Sequence, residues 1–222
     1  TGEGPLEKFT RAIRRVSGGR IPDWDRWMPR ASGGIVNRHA EEGVHGTFAR
    51  KCVYFSACVS RAMGTASCDN ESRDLIEVMH SLLAKAGYEV VIPPDVDAQC
   101  CGMPFNSKGY RDSAQTATNR LQESLWQASE GGRLPVLCDT SPCTARMRAE
   151  FDRKLEIHEP VGFIREFLLP QLEQVAQVDC IALHVTCSAK KMGLEDDFFA
   201  VANACARRVF VPEGDGCCGL PV

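Results

Sequence analysis

The 222-residue sequence lacks any apolar run near the roughly eighteen residues that a membrane-spanning helix needs. It opens without the charged segment and apolar stretch of a signal peptide. It lacks an excess of either charge, with 26 basic and 29 acidic residues, so no global positive field draws it to nucleic acid. The one basic cluster, Arg11, Arg14, Arg15 and Arg20, is short and reads as a solvated helix face. No Gly-x-Gly-x-x-Gly opens a helix to bind a dinucleotide, and no paired His and Arg mark a hydroxyacid pocket. Cys-x-x-Cys, which a thiol-disulfide oxidoreductase would carry at a helix start, is also missing.

Cysteine, by contrast, is abundant: there are twelve. That exceeds ordinary usage yet falls short of a small secreted disulfide scaffold, so the expected setting is a reducing cytoplasm, with the thiols as ligands or buried groups. Thr1 in place of an initiating methionine points to a piece of a longer protein.

Three regions follow from the patterning. Residues 1–48 read as a helix (Leu6, Phe9, Ile13 and Val16 at helical spacing) ended by Gly18 and Gly19, then a linker punctuated by Pro22, Pro29, Gly33 and Gly34. Trp24 and Trp27 are expected to pin that linker to the neighbouring domain. From residue 49 onward, β-like runs at Cys52–Phe55, Glu89–Ile92, Leu134–Leu137 and Ile181–Val185 alternate with helical patterns. These are centred on Leu75 to Leu83, Ala114 to Leu125, and Phe163 with Phe167 and Leu168. The expectation is an α/β fold with a mainly parallel sheet and crossover helices.

Residues 49–178 and 179–222 are read as two pseudo-repeat halves, the second truncated. Val53 to Gly64 is echoed by Ala182 to Gly193; each copy is a strand, a cysteine (Cys58, Cys187) and a Met-Gly. A helix, a strand ending in proline (Pro93, Pro212) and a Cys-Cys-Gly triplet follow: Cys100-Cys101-Gly102 and Cys217-Cys218-Gly219. The first interval is twelve residues longer, which the polar stretch 65–73 absorbs as an insertion.

Adjacent cysteines do not both fit one structural tetrahedron, but a polynuclear cluster accepts two neighbouring thiolates on different irons. Glycine after the pair lets the backbone approach an inorganic core. Cys58, Cys100, Cys101 and Cys143 follow three strands whose carboxyl-end loops would converge in one parallel sheet. The alternative is a structural zinc or interaction module with no redox role, in which one of the two adjacent cysteines is surplus. Cys138 is either a fifth ligand or a core thiol. His184 is read as a hydrogen-bonded core histidine, Met63 and Met192 as packing residues, and Lys108, Lys190 and Lys191 as solvated. Cys52, Cys68, Cys180 and Cys205 carry no motif.

The order Cys58, Cys100-Cys101-Gly102, then Cys143 within Ser141 to Thr144, resembles the cysteine-rich CCG domain. That domain occurs in heterodisulfide reductase, in iron-sulfur subunits of glycolate oxidase and anaerobic glycerol-3-phosphate dehydrogenase, and in large FAD-linked D-lactate dehydrogenases. The phrases at 138–143, 106–109 and 184–188 are most similar to the D-lactate dehydrogenase branch. The resemblance implies an iron-sulfur cluster, of 4Fe-4S type, held by Cys58, Cys100, Cys101 and Cys143, and a second set in Cys187, Cys217 and Cys218. It implies electron transfer from the flavin domain of a parent chain, where FAD would sit, to a respiratory acceptor. The parent would be cytoplasmic or peripheral to the inner membrane, and this portion would not be catalytically competent alone. The chain departs from the family at Thr140, where the leading cysteine of Cys-x-x-Cys normally stands, and reaches Val222 soon after Gly219.

Overall fold

The computed structural model describes residues 4–25, 28–32, 48–66, 73–172 and 176–212. The run Cys52-Val53-Tyr54-Phe55 is apolar without alternation, the signature of a strand covered on both faces. It forms the inner part of β2 (Arg50–Phe55), whose last four residues are buried. Around it lie β4 (Tyr88–Val91), β5 (Val136–Cys138) and β6 (Ile157–His158), in the order β4-β2-β5-β6. All three pairings are parallel, with Cys52 opposite Val90 and Phe55 opposite Cys138. The expected α/β class with a parallel sheet is therefore what the chain adopts.

The helices that carry the chain between these strands start where the sequence signals them. Asp74 caps α3 (Leu75–Lys85): its carboxylate accepts the Glu77 amide at 3.0 Å while Glu77 accepts the Asp74 amide at 2.9 Å. The long α5 (Arg111–Ala128) buries Ala114, Thr118, Leu121 and Leu125 on one stripe. Pro142 sits in the first turn of α6 (Ser141–Glu150), where a missing N–H costs nothing. After β6, α7 (Pro160–Phe163) runs through a π-helical turn at Ile164–Leu168. The core on the sheet joins Val53, Phe55, Leu83, Leu125, Leu137 and Met147, all at most 1% exposed. Full burial of each such side chain is worth about 1.5–3 kcal/mol.

A second, smaller βαβ unit follows. Strands β7 (Ile181–Ala182) and β8 (Val209–Phe210) pair in parallel, with α8 (Cys187–Lys191) and α9 (Glu195–Cys205) between them. Its core is Leu183, Val185, Ala189, Leu194 and Ala202. It lies against the larger sheet unit through α6, α7 and the π-helical turn, from which Arg165 pairs with Asp197 of α9.

The N-terminal region departs from expectation. The helix α1 (Pro5–Val16) forms, capped by Glu7 on the Gly4 amide at 2.7 Å. Its apolar stripe stays outside, however: Phe9 is 62% and Val16 92% exposed, while Glu7 is buried. The described part of the linker is tied down through its backbone. Strand β1 (Pro29–Ala31) pairs antiparallel with β3 (Met63–Ala66), and Ser32 donates to the Asp74 carboxylate at 3.2 Å. The Trp24 amide donates to Thr10 of α1, and Trp27 lies outside the described residues. Thr65 and Ala66, expected to be turn-like, belong to β3, and Met63 is 54% exposed rather than packed. The third strand ends on Cys138, one residue beyond the expected run, and β6 was not foreseen.

Candidate metal centre

From β2 the chain runs out to β4 on one side, then crosses back to β5 on the other. The carboxyl ends of β2 and β5 thus flank a topological switch point, the place where open parallel sheets leave a crevice. Three loops open there. The first leaves β2 through Ser56 and Ala57 and delivers Cys58 as the first residue of α2 (Cys58–Ala62). The second follows β4, makes a 3-10 turn at Val96–Ala98, and carries Cys100 and Cys101 to the start of α4 (Met103–Ser107). The third leaves β5 at Cys138 and enters α6, with Cys143 in its first turn.

These loops bring five sulfurs into one chain of contacts. Cys58 lies against Cys100, and Cys100 against Cys101. The Cys101 and Cys143 sulfurs are 3.1 Å apart, and Cys143 in turn meets Cys138. Cys101, Cys138 and Cys143 are buried, while Cys58 and Cys100 are partly open to solvent. Cys138, which sequence reasoning left between two roles, stands in the thiol group and in the core at once.

The electrostatics hold Cys58, Cys101 and Cys143 as thiols. At Cys101 the bond from Cys100 favours the thiolate, but the bond to Cys143 and burial outweigh it and push the group up to about 12. Cys143 is also raised, because contact with Cys138 and burial overcome the favourable bond from Cys101. Cys58 is raised by its bond to Cys100 and by burial, against the opposing pull of Arg61 and the Val59 amide. Loading a metal here therefore releases protons, since thiolates are the ligands.

Around the sulfurs is a frame that the sequence did not announce. Asp139 accepts the Ala57 amide at 2.8 Å, the Tyr54 hydroxyl at 3.0 Å and the Thr140 hydroxyl at 3.0 Å, clamping the β2 exit to the β5 exit. Burial raises its carboxyl above the usual range while those bonds draw it back. Arg61 donates to Ser56 O and, at 2.5 Å, to Gln99 O, joining the first loop to the second. Arg146 of α6 donates to Cys101 O at 2.9 Å, joining the third loop to the second. Two signals were available in the sequence: Arg61 and Lys190 hold the same position in the repeat, and Asp139 lies inside the phrase quoted for its cysteines.

Gly102 is required for a reason other than approach to an inorganic core. Its φ is +84°, and a Cβ there would stand 2.5 Å from Ala114 O and 2.9 Å from the Thr118 hydroxyl of α5. Its amide points to the Cys100 sulfur at 3.4 Å. The glycine lets the Cys-Cys turn lie on α5.

The remaining cysteines are scattered. Cys187 opens α8, as Cys58 opens α2, but is exposed; Cys217 and Cys218 lie outside the described residues, as does Cys68. Cys52 is a core residue, Cys180 is exposed and Cys205 is intermediate. His184, expected in the core, is exposed, as are Lys108, Lys190 and Lys191.

Among the described residues no three His, Cys, Asp or Glu side chains are arranged ready-made around a single metal ion. The Cys101 and Cys143 sulfurs are in direct contact. An all-sulfur set of five, two of them adjacent in the chain, exceeds what one tetrahedral zinc uses and matches the demand of a thiolate-held polynuclear cluster. The Ser56 hydroxyl, buried beside the first loop, has no hydrogen-bond partner among the described residues and is a further donor available to such a group.

Residues 52–148 match the family model of the cysteine-rich CCG domain. This stretch is therefore similar to the CCG domain family. Its limits take in β2 through most of α6, and hence all five converging sulfurs. The chain is also similar to one of the subunits of the anaerobic glycerol-3-phosphate dehydrogenase of Escherichia coli K12, 23% identical over 132 residues, covering 54% of this chain and 32% of the relative. The same protein of Escherichia coli O157:H7 matches equally. The chain spans about a third of the length of these curated relatives. No solved structure matches. No helix among the described residues is long and apolar enough to cross a membrane.

Proposed function

We propose that the CCG domain holds an iron-sulfur cluster through Cys58, Cys100, Cys101 and Cys143, with Cys138 as the fifth sulfur, and serves as an electron-transfer module. The observation that carries this reading is the contact chain of five sulfurs at the switch point of a parallel sheet. A cluster bound there would supply reversible one-electron transfer. The chain's own part is to hold the sulfurs on three loops, to fix those loops through Asp139, Arg61 and Arg146, and to exclude water from Cys101 and Cys143 while leaving Cys58 and Cys100 at the surface. Partial exposure on one side gives electrons an entry or exit route.

On this reading 1–48 is a helix and linker, 49–178 the first CCG half and 179–222 the start of a second, in which Cys187, Cys217 and Cys218 belong to a further site. The parent protein is a larger cytoplasmic or membrane-peripheral flavoenzyme whose FAD domain oxidises a 2-hydroxy acid, D-lactate in particular, and passes electrons through this module to a respiratory acceptor. Similarity to one component of a glycerol-3-phosphate dehydrogenase supports the dehydrogenase setting. The D-lactate assignment rests on the phrases at 138–143, 106–109 and 184–188.

Anaerobic reconstitution with iron and sulfide tests the core of this proposal. Bound iron and sulfide, a visible charge-transfer band and an EPR signal after reduction are expected, and Cys101→Ser abolishes them. Stoichiometric zinc without iron uptake would instead identify a structural zinc module.

A further inference from the structure

Two arginines near the sulfurs are buried without buried counter-charges. The Arg61 side chain is 7% exposed, and its carboxylate neighbour Asp97 is 3.9 Å away and 55% exposed. Arg146 is 6% exposed, with Glu150 at 3.7 Å and 41% exposed. Ion pairs with such solvated carboxylates contribute little, and a buried cation is costly unless something compensates it. Asp139, the buried acid of the site, is engaged by the Ala57 amide and the hydroxyls of Tyr54 and Thr140.

The positions of the two arginines are regular. Each follows a cysteine of the site by three residues, Cys58 then Arg61 and Cys143 then Arg146, so each lies one helical turn beyond a sulfur on the same face. Each guanidinium then reaches the second loop from its own side. Arg61 bonds Gln99 O, immediately before the cysteine pair, and stacks 5.7 Å from the Phe55 ring centroid. Arg146 bonds Cys101 O, at the end of the pair, and the Thr118 hydroxyl at 3.3 Å. The carbonyls satisfy N–H geometry but leave two positive charges in a low-dielectric setting.

We infer that Arg61 and Arg146 are cationic positioning residues that bracket the Cys100–Cys101 dipeptide and raise the reduction potential of the group bound there. The inference rests on the iron-sulfur reading. Thiolates with iron and sulfide form an anionic assembly, and reduction adds one further negative charge. A buried cation nearby stabilises the reduced state more than the oxidised one, because the Coulomb interaction grows with the charge it faces. Arginine suits the position because its fork spans Ser56 O and Gln99 O together, which a lysine ammonium cannot do as firmly.

The test compares the reconstituted wild-type chain with Arg61→Gln, Arg61→Lys and Arg146→Gln, reading bound iron and the midpoint potential by spectroelectrochemical titration. Both glutamine variants are expected at lower potential than wild type, with Arg61→Lys close to wild type because it keeps the charge. If Arg61→Gln loses iron while Arg61→Lys retains it at near-native potential, the need for charge is upheld. Glutamine variants with native iron and native potential overturn the inference while leaving the iron-sulfur reading intact. Loss of iron in both Arg61 variants also overturns it, since the guanidinium would then be a purely structural clamp. A wild-type chain that takes up no iron overturns the iron-sulfur reading, and this inference with it.

Discussion

The two copies of the repeat begin in almost the same way and end in different places. Ala57 precedes α2 at φ −67°, ψ 156°, and Thr186 precedes α8 at φ −65°, ψ 154°; each leads from a parallel strand into a five-residue helix that opens on cysteine. Beyond that the copies diverge. β2 is flanked by β4 and β5, so Cys58 meets sulfurs from two other loops; β7 pairs with β8 alone among the described residues, and Cys187 is exposed. The strand-cysteine-helix unit is thus only a third of a site. The β5–α6 connection supplies Cys138, Asp139, Cys143 and Arg146, and it turns an ordinary βαβ unit into a thiol cluster.

The sharpest way to break this comparison is to substitute glycines in the two regions. Gly102 and Gly193 both have positive φ, +84° and +72°, but Gly102 meets the backbone of α5 and Gly193 has nothing within 4 Å. Gly193→Ala is expected to cost about 1 kcal/mol from the left-handed conformation alone. Gly102→Ala adds a backbone collision, for a total of about 3 kcal/mol or more. Denaturant midpoints of the two variants measure the difference; equal losses would show that contact with α5 does not constrain the Cys-Cys turn.

A smaller effect is expected at the clamp between the strand exits of the first copy. Asp139→Ala leaves the Ala57 amide and Tyr54 hydroxyl without their partner and is expected to cost about 2–3 kcal/mol. Tyr54→Phe, which removes one bond, should cost about 1 kcal/mol. The repeat has Leu183 at the position of Tyr54 and thus no hydroxyl for such a clamp. A double-mutant cycle on Tyr54 and Asp139 reads the coupling, and a value near zero would show that the bond does not support the fold.

The contrast also explains what could be read from sequence. The central strand was legible because Cys52 to Phe55 is continuously apolar, and α3 because Asp74 and Glu77 form a capping box ahead of an apolar stripe. In the sequence, the repeat singles out Cys58, the triplet Cys100 and Cys101, and the position after the third strand Cys143. β6 was not, since a two-residue edge strand, Ile157–His158, carries too little pattern to detect. The exposure of the α1 stripe was not legible, because helical periodicity says which residues share a face, not whether anything covers it. Asp139, Arg61 and Arg146 were missed because their roles come from tertiary proximity: Asp139 joins segments 82 residues apart, and Arg146 reaches a carbonyl 45 residues away. Cys138 was unresolved because the sequence does not show that the turn from β5 into α6 brings it against Cys143, five residues on.

The mildest separation of the two copies lies in alkaline stability. Burial pushes Cys52 up to about 12, and Cys101 reaches about 12 through its contact with Cys143 and burial, despite the favourable bond from Cys100. With the folded value raised, these thiols are neutral in both states below pH ~9 and cost nothing there. Above that, the unfolded chain ionises them and the folded chain does not, so stability falls with rising pH until the folded value is reached. The slope is about 1.4 kcal/mol per pH unit for each thiol. Tyr54 and Tyr88 are raised as well, so keeping below pH ~10 isolates the cysteine contribution. Denaturant midpoints of the metal-free, reduced chain between pH 8 and about 10 should therefore decline, and Cys52→Ala should flatten the decline by one thiol's share. Its lost packing shifts the whole curve without changing the slope. A decline that ignores Cys52→Ala would show that the buried Cys52 thiol does not carry it.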